Sequence, residues 1–134
     1  MELNNPVVVE QVRQSSDRYE TALADNDTRT LDTLFWGGPE AVRYGIGENL
    51  YGAQDIAAFR LARTGGSPQR RILRRVIVTT GTDNAVVSLE FQRQNTTRIG
   101  RQMQTWIRAH DGWKILAAHV SLMAAHPETE QPAL

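Results

Sequence analysis

The chain is 134 residues long, 40% of them apolar, and its fifteen basic and fifteen acidic residues cancel to a formal net charge of zero. That length supports one domain with a real core and not two, and the neutral balance removes any global argument for nucleic-acid binding. With no cysteine, disulfides and thiolate chemistry are excluded.

The first element begins at Asn5-Pro6, a capping residue followed by a proline suited to the first helical position. Val8, Val12, Ser15, Tyr19 and Leu23 recur at helical spacing, while Glu10, Arg13, Gln14, Asp17 and Glu20 occupy the other side. This predicts an amphipathic helix ending near Asp25-Asn26. Asp27 caps a short second helix through Leu31, Leu34 and Phe35, which Gly37-Gly38-Pro39 stops. Ala41–Tyr44 reads as a short strand, Gly52 precedes a third helix over Ala53–Arg63, and 64–68 is a loop.

After Pro68 the period changes from helical to two. Strands are predicted over Arg70–Thr80, Ala85–Arg93, Thr97–Ala109 and Trp113–Met123, with Asp111-Gly112 the clearest hairpin turn. Residues 127–134 are polar and proline-containing and are expected to be disordered, which leaves one domain over 1–126. The N-terminus lacks the layout of a signal peptide, and no apolar run approaches the roughly 18 residues of a membrane span, so a cytoplasmic protein is expected.

Helices that precede an antiparallel meander of four long strands make an α+β domain. A curved sheet wrapped over the long first helix would enclose a conical cavity. This order, with the ending Gly112-Trp113-Lys114-Ile115 and His119-Val120-Ser121, resembles the cystatin-like, nuclear-transport-factor-like cone fold shared by ketosteroid isomerase and the SnoaL-like cyclases. The resemblance runs from about residue 5 to about residue 124 and implies a fold and a pocket, not a reaction.

A narrower resemblance rests on Leu34-Phe35-Trp36, Val42-Arg43-Tyr44-Gly45, Glu48, Tyr51-Gly52, Ile56-Ala57-Ala58-Phe59-Arg60, Arg63 and Ala117-Ala118-His119-Val120-Ser121-Leu122-Met123. Together these are similar to a family within that fold. It holds the decarboxylating amidohydrolase of dicarboxyurea (AtzH-like) and proteins of oxalurate catabolism (HpxZ-like). The resemblance implies a catalytic pair made of a first-helix tyrosine and a first-strand arginine, which fall here on Tyr19 and Arg43.

The residues themselves leave alternatives open. Tyr19 lies on the apolar stripe, either as a core tyrosine bonded to a backbone carbonyl or as a proton donor at the bottom of the cone. Alternation puts Arg43 opposite Val42 and Tyr44, either paired with Glu48 or Glu40 or clamping a substrate carboxylate. Glu48 sits in a glycine-flanked turn, either orienting Arg43 or solvated. Arg60 and Arg63 share one side of the third helix; solvation is the default, and a second substrate carboxylate is the alternative use of Arg60. His119, read on one strand face with Trp113, Ile115, Ala117 and Ser121, is a core or interface histidine or a pocket-lining acid and base.

No metal-ligand spacing accompanies His119, and no nucleophile elbow, P-loop or dinucleotide motif is present, so no cofactor is expected. The charges of Arg70-Arg71 and Arg74-Arg75 fall on both strand faces without interleaved aromatics, which fits a guarded sheet edge better than nucleic-acid binding. The functional expectation is a hydrolase for a carboxylated urea, with Arg43 holding a carboxylate and Tyr19 protonating the departing nitrogen. The rival is a non-catalytic ligand-binding or accessory module. A homodimer is expected through the sheet face away from the helices, with Trp106 or its neighbours exposed there.

Overall fold

A computed structural model of the protein describes residues 1–125, so the tail expected to be disordered, 127–134, lies outside the described residues. In chain order the elements are α1 (Pro6–Ala24), α2 (Thr28–Leu34), β1 (Val42–Tyr44), β2 (Asn49–Tyr51), α3 (Ala53–Ala62), β3 (Arg70–Thr80), β4 (Asn84–Arg93), β5 (Ile99–Ala109) and β6 (Gly112–Leu122).

Local chemistry sets the helix ends. The Asn5 side chain accepts a hydrogen bond from the Val7 amide at 3.0 Å, with Pro6 in the first turn where its missing donor goes unnoticed. Asp27 accepts from the Thr30 amide at 3.1 Å and from the Thr30 hydroxyl at 2.6 Å, which starts α2. The buried side of α1 is Val8, Val12, Ser16, Tyr19 and Ala22. The expected stripe through Ser15 and Leu23 is thus turned slightly, and both of those residues are half-buried.

The sheet has six strands in the order β2-β1-β6-β5-β4-β3, where the sequence predicted a four-stranded meander. β1 pairs in parallel with β6, and the unforeseen three-residue β2 closes the sheet antiparallel to β1. β3 is an edge, as its arginines suggested.

One sheet face meets the helices and holds the core: Ala85, Val87, Leu89, Trp106, Ile115 and Ala118 pack with Val8, Val12, Tyr19, Leu31, Leu34, Phe35 and Ile56. Burying each large member stabilises the fold by roughly 1.5–3 kcal/mol. Trp106 is fully buried on this face, which corrects its expected exposure on the other. The open face instead presents Val76, Val78, Val86 and Met103 to solvent.

The reading of β6 also needs correction. Thr105 pairs with Ala117 but Trp106 pairs with Ile115, so Leu116 is an extra residue, a bulge that breaks the alternation. Trp113 and Ile115 face the helices before it, Ala118 and Val120 after it, and His119 is exposed on the opposite side. Among the described residues no helix is long and apolar enough to cross a membrane.

Candidate functional site

The helix-covered face is crossed by rows of paired residues. One row runs Val87, Gln104, Ala118, Arg43 and Leu50 across β4, β5, β6, β1 and β2. The next is Leu89, Gln102 and Val120, and beyond it Phe91 opposes Gly100. Gly100 is required there, because a side chain at that position would run into the Phe91 ring. Arg43 therefore points to the interior, on the face its alternation predicted.

Arg43 donates from Nη1 to Glu48 Oε1 at 3.0 Å, and Glu48 also accepts from the Gly47 amide at 3.3 Å. The Arg43 side chain is 11% exposed and that of Glu48 27%, so this pair is sheltered. Gly45 has no side chain because the Glu48 carboxylate occupies that space.

α3 and its C-cap residue Arg63 deliver three further side chains. The Phe59 ring lies under two guanidinium groups, Arg43 at 5.6 Å and Arg63 at 5.2 Å from its centroid. Arg60 is 5% exposed, donates to Asp32 Oδ1 at 2.8 Å and stacks 4.4 Å from the centroid of Phe35. The solvated helix face expected for Arg60 is therefore not observed: α3 turns it into the interior. The Tyr19 ring stands 6.4 Å from Phe35 and is 3% exposed, and no hydrogen bond among the described residues engages its hydroxyl.

A second group of arginines comes from the sheet edge. Arg70 binds Glu20 through two parallel bonds of 3.0 and 2.6 Å and donates to Gln102 Oε1 at 2.8 Å. Arg70 and Arg93 stand over Phe91 at 4.5 and 5.8 Å. The two groups feel one another. Burial lowers the pKa of Arg93, helped by the positive charges of Arg70 and Arg43. Burial likewise lowers those of Arg60 and Arg63, with Arg43 acting in the same direction on both; Tyr19 and the hydrogen-bonded Asp32 oppose the shift at Arg60.

Five arginines (43, 60, 63, 70 and 93) thus face three carboxylates (Asp32, Glu48 and Glu20), an excess of two positive charges. Among the described residues six buried side-chain polar atoms lack a partner: Arg60 Nη2, Arg63 Nε, Arg93 Nε, Gln102 Nε2, Gln104 Nε2 and Thr79 Oγ1. The five nitrogens are all donors. Spare donors and spare positive charge are complementary to a group rich in acceptor oxygens.

Of the residues named from sequence, the interior brings together Tyr19, Arg43, Glu48 and Arg60. It does not include His119, which meets Tyr44 edge-on at 5.6 Å on the open face. Arg93, Gln102 and Gln104 were not singled out from sequence; glutamines two residues apart, in phase with Trp106, were the available signal. A groove of about 990 Å³ bounded by Gln69, Gln92 and Gln94 shares Arg70 and Arg93 with the cluster. Among the described residues no group of three His, Asp or Glu side chains is placed to hold a metal ion.

A family model described as AtzH-like matches residues 1–126. A protein of unknown function from the DUF3225 family of Pectobacterium atrosepticum is 52% identical, over 91% of this chain and 95% of that one, with a TM-score of 0.86. A cystatin-like fold protein of Burkholderia xenovorans is 49% identical over 94% and 99%, with a TM-score of 0.89. A nuclear transport factor 2-like superfamily protein of Salmonella enterica, only 20% identical over 94% and 98%, shares the fold at a TM-score of 0.74. A comparison with curated proteins gave no match. Family match and fold together describe a small enzyme-like or ligand-binding module of the cystatin-like, nuclear-transport-factor-like kind.

Proposed function

The chain belongs to the AtzH-like family, and from that premise we propose that it is a small cytoplasmic hydrolase of a carboxylated urea, a dicarboxyurea- or oxalurate-like ureido acid, cleaving a C–N bond with loss of carbon dioxide. The observation that carries this reading is the excess of two positive charges beside five unpaired buried donors. Two carboxylates on one substrate match that excess; a monoanion such as oxalurate leaves part of it unmet.

The chemistry asks little of the protein. The N–carboxyl bond of a carbamate end breaks, its electron pair stays on nitrogen, and carbon dioxide leaves. Nitrogen takes a proton in the same event. A phenol, with an ordinary pKa near ~10, begins protonated at neutral pH, so Tyr19 acts as donor and is restored from water. Departing carbon dioxide sheds its negative charge, so an arginine held against that end would oppose the step. Arg43 therefore serves best on the carboxylate that remains or on the urea oxygen. Arg60, stacked on Phe35 beside Tyr19, is the second anchor, and Glu48 fixes the Arg43 fork.

The test is incubation of purified protein with dicarboxyurea and with oxalurate, following carbon dioxide and ammonia. Carbon dioxide ahead of ammonia from dicarboxyurea, and none from oxalurate, which has no N–carboxyl bond, is the expected result. Saturable binding without turnover would assign the protein to the non-catalytic class. We place the homodimer contact on the open face around Val76, Val86 and Met103; equilibrium sedimentation should give twice the chain mass for the native protein and a monomer for Met103→Asp.

A further inference from the structure

Gln102 and Gln104 are each 1% exposed, stand two residues apart on β5, and face the helices. Their orientation is not free. Gln104 Oε1 accepts from the Trp106 indole at 3.0 Å, and Gln102 Oε1 accepts from Arg70 Nη2 at 2.8 Å. Both partners can only donate, so a flipped amide would set N–H against N–H. Each amide is therefore locked with its oxygen occupied and its nitrogen turned away, and each nitrogen is buried without an acceptor.

The two glutamines leave the strand roughly 7 Å apart at their Cα atoms, on one face, and their amide oxygens are held in opposite directions, toward Arg70 and toward Trp106. In the row that holds Gln104, only the methyl group of Ala118 separates it from Arg43. An unpaired buried amide is unfavourable, and two in adjacent rows next to spare arginine donors belong to one recognition surface. The division of labour follows from charge. Guanidinium groups suit carboxylates; neutral amide donors suit a neutral carbonyl oxygen without adding to the positive excess.

We propose that Gln102 and Gln104 form a carbonyl-reading pair that recognises the uncharged central carbonyl of a ligand whose anionic ends lie on the arginines. This rests on the reading of the interior as a dianion site and adds how it tells a ureido dicarboxylate from a plain dicarboxylate.

Two stable probes separate the contributions. Glutarate and 3-oxoglutarate are dianions of the same length, and only the second carries a central carbonyl. Titration calorimetry on the whole chain should show 3-oxoglutarate binding about tenfold more tightly, the equivalent of one good hydrogen bond. In Gln104→Met and Gln102→Met the ratio of the two affinities should fall toward unity. Should either methionine variant melt early, Gln104→Glu retains the acceptor for Trp106 and Gln102→Glu that for Arg70, and each still loses its N–H; the ratio of the two affinities is read in the same way. Equal binding of both probes to the native protein, or an unchanged ratio in the variants, would overturn the pair and leave the dianion site standing. Failure of both probes to bind at millimolar concentration would overturn both.

Discussion

The two ends of the helix-covered sheet face are built on opposite terms. At one end Trp106, Ile115, Trp113, Ala85 and Val87 close over α1 and α2, and even their polar atoms are engaged: the Trp106 indole with Gln104, the Trp113 indole with Gln11 at 3.2 Å. At the other end Arg43, Arg60, Arg63, Arg70 and Arg93 crowd against Phe35, Phe59 and Phe91 with donors to spare. Among the described residues the first end leaves one buried polar atom unpaired, Thr79 Oγ1, in the row of Ala85 and Trp106. The second leaves three on its arginines alone: each unpaired buried donor costs about 1–3 kcal/mol, so the arginine end draws on the stability of the apolar end. Fold and recognition are therefore separable by mutation.

The largest separation is expected at Tyr19. Tyr19→Phe keeps the ring against Phe35 and removes a hydroxyl that has no hydrogen-bond partner among the described residues. Turnover of dicarboxyurea should fall by about 10²–10⁴-fold, with unfolding free energy changed by no more than ~1 kcal/mol. Full activity in a folded Tyr19→Phe protein removes the acid role. Trp106→Ala is the reciprocal change. Emptying this fully buried site should cost about 3–5 kcal/mol in chemical denaturation. A cost under 1 kcal/mol would show that the apolar end is not what holds the domain together.

A smaller effect sharpens the boundary between fold and site. Gly45→Ala puts a methyl group where the Glu48 carboxylate sits, at a backbone position that tolerates alanine. Glu48 must leave Arg43, so KM should rise roughly tenfold, the value of one charge-assisted bond, with melting almost unchanged. An unaltered KM would mean that Glu48 does not orient Arg43. The smallest effect belongs to the cap of α2. Hydrogen bonds from the Thr30 hydroxyl, and then from its amide, hold the Asp27 pKa below the ordinary 3.8. A depressed carboxylate pKa stabilises fully above about pH 4 and loses that contribution as pH falls through the lower folded value. Melting curves between about pH 5 and 2 should show Asp27→Asn lacking this part of the acid sensitivity, with binding at neutral pH untouched.

Much of the fold was legible because its signals are local. Asn5-Pro6 and Asp27 mark helix starts chemically, and alternation alone placed Arg43 opposite Tyr44. What stayed hidden depends on partners distant in the chain. β2 is three residues long and exists because β1 lies beside it. Arg60 looks solvated until Asp32, twenty-eight residues earlier, is seen to take its charge. Arg93, Gln102 and Gln104 read as ordinary strand polars, since alternation assigns two faces without saying which one the helices cover.

The bulge in β6 bears on how this chain tolerates changes of length. A strand ordinarily resists a one-residue deletion, because everything beyond it flips to the other face. Between Ile115 and Ala118 the chain holds one residue more than its partner strand needs. Deleting Leu116 would therefore straighten β6 while leaving Ala118 and Val120 inward and His119 outward, whereas deleting Lys114, opposite regularly paired Ile107, would drive Trp113 out of the core. Along this strand, shortening is permitted at a single surplus residue, and relatives that differ in length here should differ by its presence or absence.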